Sequence, residues 1–398
     1  MPAAEGGRAV VRLARNQERR LRSGHLWVFS NEIEGTDGAP EPGAEVLVAD
    51  HRGAPVGVGL YNPHSLIAVR LYARTPHAVD ATLVRERVRH AVELRTRIYP
   101  VERTCRLIFG EGDYLPGLVV DRYGDYLGVQ SLTLGVEQRI EWILDVLEEE
   151  LKPAGIVCRR DTPARDREGL SLMPPIVRGE VPDRVDAPYE GFMLSVDLLT
   201  GQKTGEFLDQ RDNRKRLAPE ARGRRVLDLY CYTGLFGIHA AVAGAESVLG
   251  VDRSGPAIER ARLNAQRNAP TRAIELREAE VETAMAQLER DGERFDMIVV
   301  DPPSLVKSRK DLPDGVRKYV TLNEQALRLL KPDGLLATAT CSHHVDAALF
   351  LDILRQAAKR AHTELRLVEV LGQSRDHPVL LAARETSYLT LAVVERMR

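Results

Sequence analysis

The clearest hydrophobic pattern in the chain lies between Arg225 and Asp252. An apolar run, Val226 to Tyr230, is short enough for a buried strand and carries one acid, Asp228, near its end. A loop follows, Cys231-Tyr232-Thr233-Gly234, then a helix-like segment from Leu235 to Ala243. A second apolar run, Ser247 to Val251, ends on Asp252, with Arg253 and Ser254 directly after it. The order predicts strand, tight loop, helix and strand, one unit of a doubly wound parallel sheet. Such sheets bind ligands at the carboxyl ends of their strands. Ser254 then predicts a helix cap, with Pro256 in the first turn, for a helix running to about Asn268. Ala273 to Arg277, Phe295 to Val300 and Leu335 to Thr340 predict three further strands.

Upstream the pattern changes. Val10–Leu13, Glu45–Asp50, Val56–Tyr61 and Ile67–Tyr72 read as short strands broken by Gly and Asn-Pro, which predicts a compact barrel over residues 1–76. Residues 77–190 read as an α+β unit. Asp80 caps a helix to Ile98, a meander follows with strands at Arg106–Phe109, Gly117–Arg122 and Tyr126–Leu132, then a helix over Val136–Leu151 and a strand near Ile156–Arg159. Residues 162–190 are rich in Pro and charge and read as irregular connection. Residues 191–398 hold the parallel-sheet pattern.

Composition narrows the class. The chain has 398 residues, 43% of them hydrophobic and 29% charged. No apolar run approaches the roughly 20 residues of a membrane span, and the first residues lack a signal-peptide apolar core. Four cysteines, without a C-x-x-C pair, argue against a zinc site and a disulfide framework and for a reducing, cytoplasmic setting. Net charge is -2, so bulk charge does not advertise nucleic acid. The distribution is more telling: Arg8, Arg12, Arg15, Arg19, Arg20 and Arg22 form one basic cluster, and Lys203, Arg211, Arg214, Lys215 and Arg216 begin another.

The glycine loop lacks the first Gly of a dinucleotide fingerprint, and acids at both strand ends would repel phosphate. Carboxylates instead suit ribose hydroxyls and a positive charge. S-adenosylmethionine has both and no phosphate. Candidate cofactor-binding residues are therefore Asp228, Tyr230, Tyr232, Thr233, Gly234, Asp252, Arg253 and Ser254, with Glu278 at the third strand end and Asp301 and Pro302 at the fourth.

The fourth strand ends in Asp301-Pro302-Pro303-Ser304, and the fifth in Thr340-Cys341-Ser342. The prolines make a rigid extended turn that aims Asp301 into the cleft. Carbon 5 of a pyrimidine is a poor nucleophile until a thiolate adds at carbon 6, so a cysteine beside a D-P-P turn points to nucleophilic catalysis. Cys341 and Asp301 are the candidate catalytic residues. A cysteine alone is more often a small buried hydrophobe, and Cys105, Cys158 and Cys231 are read that way.

R-R-L-R-S-G-H-L-W-V-F (residues 19–29) and G-V-G-L-Y-N-P (57–63) resemble the RNA-binding PUA domain of a family of large-subunit ribosomal RNA methyltransferases. G-E-G-D-Y-L-P-G-L-V-V-D (110–121) resembles that family's central domain, and T-C-S its cytosine-5 nucleophile motif. Another branch of cytosine-5 enzymes has a second cysteine where Ser304 stands, which puts this chain with the single-cysteine family. The resemblance implies a Rossmann-like, seven-stranded class I methyltransferase domain after a PUA barrel and an α+β domain. It implies that Val379–Ala383 and Ser387–Val394 form the closing hairpin. It implies S-adenosylmethionine as cofactor, no metal, and large-subunit ribosomal RNA as partner, contacted through Arg19, Arg20, Arg22, Lys203, Phe207 and Arg211. It admits a homodimer, although no interface stripe is legible. Uracil-5 methylation, a non-catalytic RNA adaptor and a small-molecule methyltransferase are the rival readings.

Overall fold

A computed structural model describes residues 8–201 and 203–398, so Gln202 of the Thr200–Thr204 loop and residues 1–7 lie outside the description. The chain divides into two compact units. One takes residues up to Gly191 with Val196–Glu206 and Arg375–Thr386; the other takes Phe192–Ser195, Phe207–Ser374 and Ser387–Arg398.

The second unit is built on a seven-stranded sheet. Its elements are β1 (Arg225–Leu229), α1 (Leu235–Val242), β2 (Ser247–Asp252), α2 (Gly255–Asn268), β3 (Ile274–Glu278), α3 (Val281–Arg290), β4 (Phe295–Val300), α4 (Leu312–Leu329), β5 (Leu330–Thr340), α5 (Ala347–Arg360), β6 (Leu365–Leu371) and β7 (Thr390–Arg396). The strand order is β3-β2-β1-β4-β5-β7-β6, with β7 antiparallel to both its neighbours. The chain reverses direction across the sheet between β1 and β4, a switch point of the kind at which doubly wound sheets bind ligands.

The central strands are apolar without alternation because helices cover both faces. Leu227, Leu229, Ile298 and Val300 pack with residues of α3, α4 and α5, while Val226, Met297 and Val299 pack with Phe236, Ala240 and Ala241 of α1. In α3 the buried residues are Val281, Ala284, Met285 and Leu288, the spacing of one helix face. Ser254 caps α2 as its sequence predicts, its hydroxyl accepting from Ala257 N.

The closing hairpin is not where the sequence placed it. Leu365–Leu371 pairs with Thr390–Arg396, whereas 379–383 forms no strand and groups with the first unit. Since β7 pairs with β5 on one side and β6 on the other, no ladder is left for the 379–383 run.

The first unit holds two sheets. Six strands, in the order Trp27–Phe29, Ile67–Ala73, Pro55–Tyr61, Glu45–Ala49, Ala9–Leu13 and Ile33–Asp37, form the N-terminal sheet. Five more, from Thr104–Phe109 to Met173–Gly179, form the second. The stretch 162–190, expected to be irregular, supplies the edge strand Met173–Gly179, which pairs with Gly155–Arg160. The helix expected over 136–151 is two, Leu134–Glu137 and Ile140–Leu151. Asp80 caps the helix Ala81–Ile98.

The acids of the G-E-G-D-Y-L-P-G-L-V-V-D stretch are consumed inside this unit. Asp113 pairs with buried Arg95 at 2.5 Å, Asp121 pairs with Arg106 at 2.5 Å and also accepts from Thr204 Oγ1, and Glu111 accepts from the Trp27 indole at 2.7 Å. They hold the scaffold together; a buried ion pair with one partner removed costs about 3–5 kcal/mol.

Candidate active site

Three carboxylates gather at the carboxyl ends of β1, β2 and β4. Asp228, the most buried, accepts from Gly237 N at 2.9 Å. Its Oδ1 is buried without a hydrogen-bond partner among the described residues. Burial pushes its carboxyl up to about 7; the Gly237 amide and Arg214 oppose this, and Asp301 and Asp252 add to it. A buried acceptor left unsatisfied in a ligand-binding position is a place for a donor or a cation.

The loop between β1 and α1 is shaped to expose backbone. Tyr230 and Tyr232 both have left-handed φ, 61° and 50°, a conformation that costs non-glycine residues about 1–3 kcal/mol each and concentrates at functional sites. Gly234 takes φ 78° as the N-cap of α1. A Cβ on Gly237 would stand 2.9 Å from Val248 and 3.3 Å from the Asp228 carboxylate, so only glycine lets α1 start this close to β1. Tyr230 donates to Glu282 at 3.0 Å, and the Tyr232 ring meets Phe207 edge-on at 5.1 Å. Thr233 is buried at the base of the loop.

Asp252 Oδ2 accepts from Tyr232 N at 3.0 Å and Oδ1 from Ser254 N at 2.8 Å. Each oxygen keeps a second lone pair, the capacity needed for a pair of ribose hydroxyls. Asp252 and Glu278 are partners in the β2–β3 register, and the Glu278 carboxylate lies against Gly255 at the start of α2. Arg253, between Asp252 and Ser254, is exposed. These residues fit an adenosine-bearing cation, and among the described residues no group of three or more His, Cys, Asp or Glu could hold a metal ion.

The D-P-P-S turn and the T-C-S turn lie side by side. Val300 pairs with Thr338 in the β4–β5 register, and Asp301 N donates to Leu229 O at 3.3 Å. The Cys341 thiol stands 4.0 Å from the Pro302 carbonyl, and Pro302 itself is buried. Cys341 is half-buried, whereas Cys105, Cys158 and Cys231 are buried. Burial pushes the Cys158 thiol up to about 12 and raises that of Cys231 too, with Asp228 and Asp252 adding to the latter. Those two thiols stay protonated, which leaves Cys341 the accessible one in the cleft.

A network of hydroxyls that sequence reasoning missed joins the two turns. Tyr319 of α4, fully buried, accepts from Thr340 Oγ1 at 2.9 Å and bonds Ser342 Oγ at 3.0 Å. Ser342 Oγ also bonds Ser304 Oγ at 3.0 Å and accepts from Val306 N at 3.3 Å. The residues on both sides of Cys341 are thus tied to one phenol and to the turn after Asp301. A Tyr319→Phe protein is expected to lose about 1–2 kcal/mol of stability in denaturant unfolding, because two buried hydroxyls lose their partner. An unchanged midpoint would mean the network adds nothing to stability.

Comparison with known proteins identifies the family. Residues 173–389 match the S-adenosylmethionine-dependent methyltransferase family, and residues 11–74 match a PUA-like domain. Ribosomal RNA large subunit methyltransferase I of Photobacterium profundum is 35% identical over 385 residues, covering 95% of this chain and 97% of that protein. The protein of that name from Tolumonas auensis is 35% identical over 395 residues, covering 97% and 98%. The chain belongs to this methyltransferase family. A solved chain from Streptococcus mutans, assigned as a SAM-dependent methyltransferase, shares the fold at a TM-score of 0.84 and 20% identity, covering 97% of this chain and 99% of that one. A methyltransferase solved with SAH superposes at 0.85 over the same shares of the two chains. The cofactor of the methyltransferase is S-adenosylmethionine, and its N-terminal sheet is the PUA-like barrel. No helix among its described residues is long and apolar enough to cross a membrane.

The residues expected at the RNA surface are placed unevenly in the methyltransferase. Arg19 is exposed and donates to Asn16 Oδ1 at 3.1 Å. Arg22 is exposed and pairs with Asp50 at 2.7 Å. Arg20 is half-buried, bonded to Glu32 and the Trp27 carbonyl and stacked over Phe29. Lys203 is exposed, in the first unit. Phe207 is half-buried against Tyr232. Arg211 is 0% exposed, inside the second unit, so it is no surface contact for RNA phosphate.

Proposed function

We propose that this chain methylates carbon 5 of a cytosine in large-subunit ribosomal RNA through a covalent Cys341 adduct. The observation that carries the reading is the meeting of the two strand tips, with the Cys341 thiol 4.0 Å from the carbonyl of the D-P-P turn that begins at Asp301. The ribosomal substrate is supported by the names of relatives 35% identical over nearly the whole chain. A cytoplasmic setting accords with that substrate.

When bound, S-adenosylmethionine supplies an electrophilic methyl group on its sulfonium. Asp228, Asp252 and the Tyr230–Gly234 loop would hold it, Asp228 toward its positive charge and Asp252 toward its ribose. Cys341 loses its proton and its sulfur bonds carbon 6, which places an electron pair at carbon 5 and makes that carbon able to take the methyl. Asp301, protonated or sharing a proton with the base, hydrogen-bonds N3 as charge develops there. A base then removes the carbon 5 proton, the 5,6 double bond re-forms, and the carbon–sulfur bond breaks to return the thiolate. His343, His344 and a water are candidates for that base; both histidines are exposed, and the His343 ring lies 6.0 Å from that of Tyr388.

The target base must leave its stack to reach such a cleft unless it is already single-stranded. The test is nucleoside analysis of ribosomal RNA, naked and in precursor subunits, after incubation with labelled S-adenosylmethionine. 5-Methylcytidine is the expected product. 5-Methyluridine would transfer the same thiolate chemistry to uracil, and an N-methylated base would remove it.

A further inference from the structure

The turn that carries Asp301 and Pro302 continues into Leu305-Val306-Lys307-Ser308-Arg309-Lys310 before α4 begins. Lys307, Arg309 and Lys310 are all exposed, and none makes an ion pair or a side-chain hydrogen bond with a described residue. They stand together at the end of the turn that carries Asp301. Even the nearby Arg317 pairs with Asp314, and Asp311 is taken by the Ser308 hydroxyl at 2.8 Å. Three like charges within four residues repel one another, and among the described residues no carboxylate forms an ion pair with any of them.

The start of this run is tied to the site. Ser304 Oγ donates to Val306 O at 3.1 Å, and Val306 N donates to Ser342 Oγ at 3.3 Å. Lys307 therefore follows a residue fastened to the neighbour of Cys341. The interior of the cleft is acidic, holding Asp228, Asp252 and Asp301, and the last two disfavour the ionised form of Asp228. A polyanion cannot bring its phosphates there. A nucleotide can enter only if its base goes in while its phosphates stay at a cationic rim.

We propose that Lys307, Arg309 and Lys310 form that rim and bind the RNA phosphates flanking the target nucleotide. The inference rests on the reading of Cys341 and Asp301 as the reaction centre. Phosphate contacts of this kind position the strand without reading its sequence.

The test is a Lys307→Ala/Arg309→Ala/Lys310→Ala protein, with Lys359→Ala as control. Lys359 is exposed at the C-terminal end of α5, a helix that runs back from the strand tips. Ribosomal RNA binding is followed against salt, and methylation kinetics are run alongside. Three single-strand phosphate contacts contribute about 0.7 each to the slope of log affinity against log salt, so the triple variant should lose about 2 from that slope. Its KM for RNA should rise at least about tenfold, with affinity for S-adenosylmethionine and for RNA in the control unchanged. RNA affinity and salt slope equal to wild type in the triple variant would overturn the proposal, as would a wild type that binds no RNA. The product nucleoside is read in the same reactions. A lowered slope with a product other than 5-methylcytidine supports the rim and refutes the base assignment; 5-methylcytidine with an unchanged slope does the reverse.

Discussion

A Cys341→Ala protein will bind S-adenosylmethionine as wild type does and will transfer no measurable methyl to cytosine, a loss on the order of a thousandfold or more. The reason is that the sulfur does what no neighbouring group can. Without addition at carbon 6, carbon 5 has no electron pair to offer, and the other cysteine of this sheet, Cys231, is buried with its thiol held protonated. Packing loss is not a competing explanation. Cys341 is only half-buried, so removing its sulfur leaves a small gap at a cleft edge. The measurement is single-turnover methylation at saturating RNA, with equilibrium binding of the cofactor in parallel. RNA carrying 5-fluorocytosine sharpens it. Fluorine at carbon 5 cannot leave as a proton, so the carbon–sulfur bond persists, and wild type should migrate as a covalent complex on denaturing gels while Cys341→Ala does not. Activity in the alanine protein within tenfold of wild type would remove the adduct mechanism.

The parts of this molecule that the sequence disclosed are those where one physical demand dominates. Val226–Leu229 and Phe295–Val300 are apolar on both faces because helices cover both, and their ends are marked by acids that break the run. Strand-tip acids are visible for that reason alone. Leu365–Leu371 was missed because it is an edge strand, with Leu367, Val368 and Val370 all more than 40% exposed, so its pattern lacks the one-sided alternation of a half-buried strand. Val379–Ala383 was mistaken for a strand because apolar residues reveal a wish for burial and not the partner that supplies it; Leu381 is 92% exposed. The arginines teach the same point about charge. Arg20 and Arg211 announce themselves by sign, yet one is bonded to Glu32 and the other is wholly buried. The cations of 307–310 stand in the sequence two residues after D-P-P-S, and their place beside the Cys341 turn is what sets them apart. Tyr319 had no signal. Its hydroxyl reaches Thr340, 21 residues on, and a lone tyrosine on an amphipathic helix looks like core.

Changing Asp228 to asparagine should move stability and cofactor affinity in opposite directions, and the pH dependence of wild type should show why. Burial lifts the Asp228 carboxyl from 3.8 to about 7 in the protein alone. Between those values the folded protein holds a proton that the unfolded chain has lost, so stability falls as pH rises through that window and is level above about 7. Asp228→Asn removes this cost, and the variant should melt higher than wild type at pH 8. The cofactor reverses the balance. A cation beside the unpartnered Oδ1 favours the ionised form, so below about 7 binding must expel the proton. Affinity should then climb by up to about tenfold per pH unit toward 7. It should decline again above about 8, where an α-amino group loses its own proton. The asparagine protein should bind about ten- to a hundredfold more weakly at pH 7.5, the worth of one charge-assisted hydrogen bond, and its affinity should lose the rise between pH 5.5 and 7. Calorimetric titration with S-adenosylmethionine at several pH values, beside thermal melts of the free proteins, gives both readouts. A variant that is less stable than wild type at pH 8 and binds equally well would make Asp228 a structural acid, held for Gly237 alone. Stabilisation together with weakened binding is what a residue strained on behalf of its ligand produces.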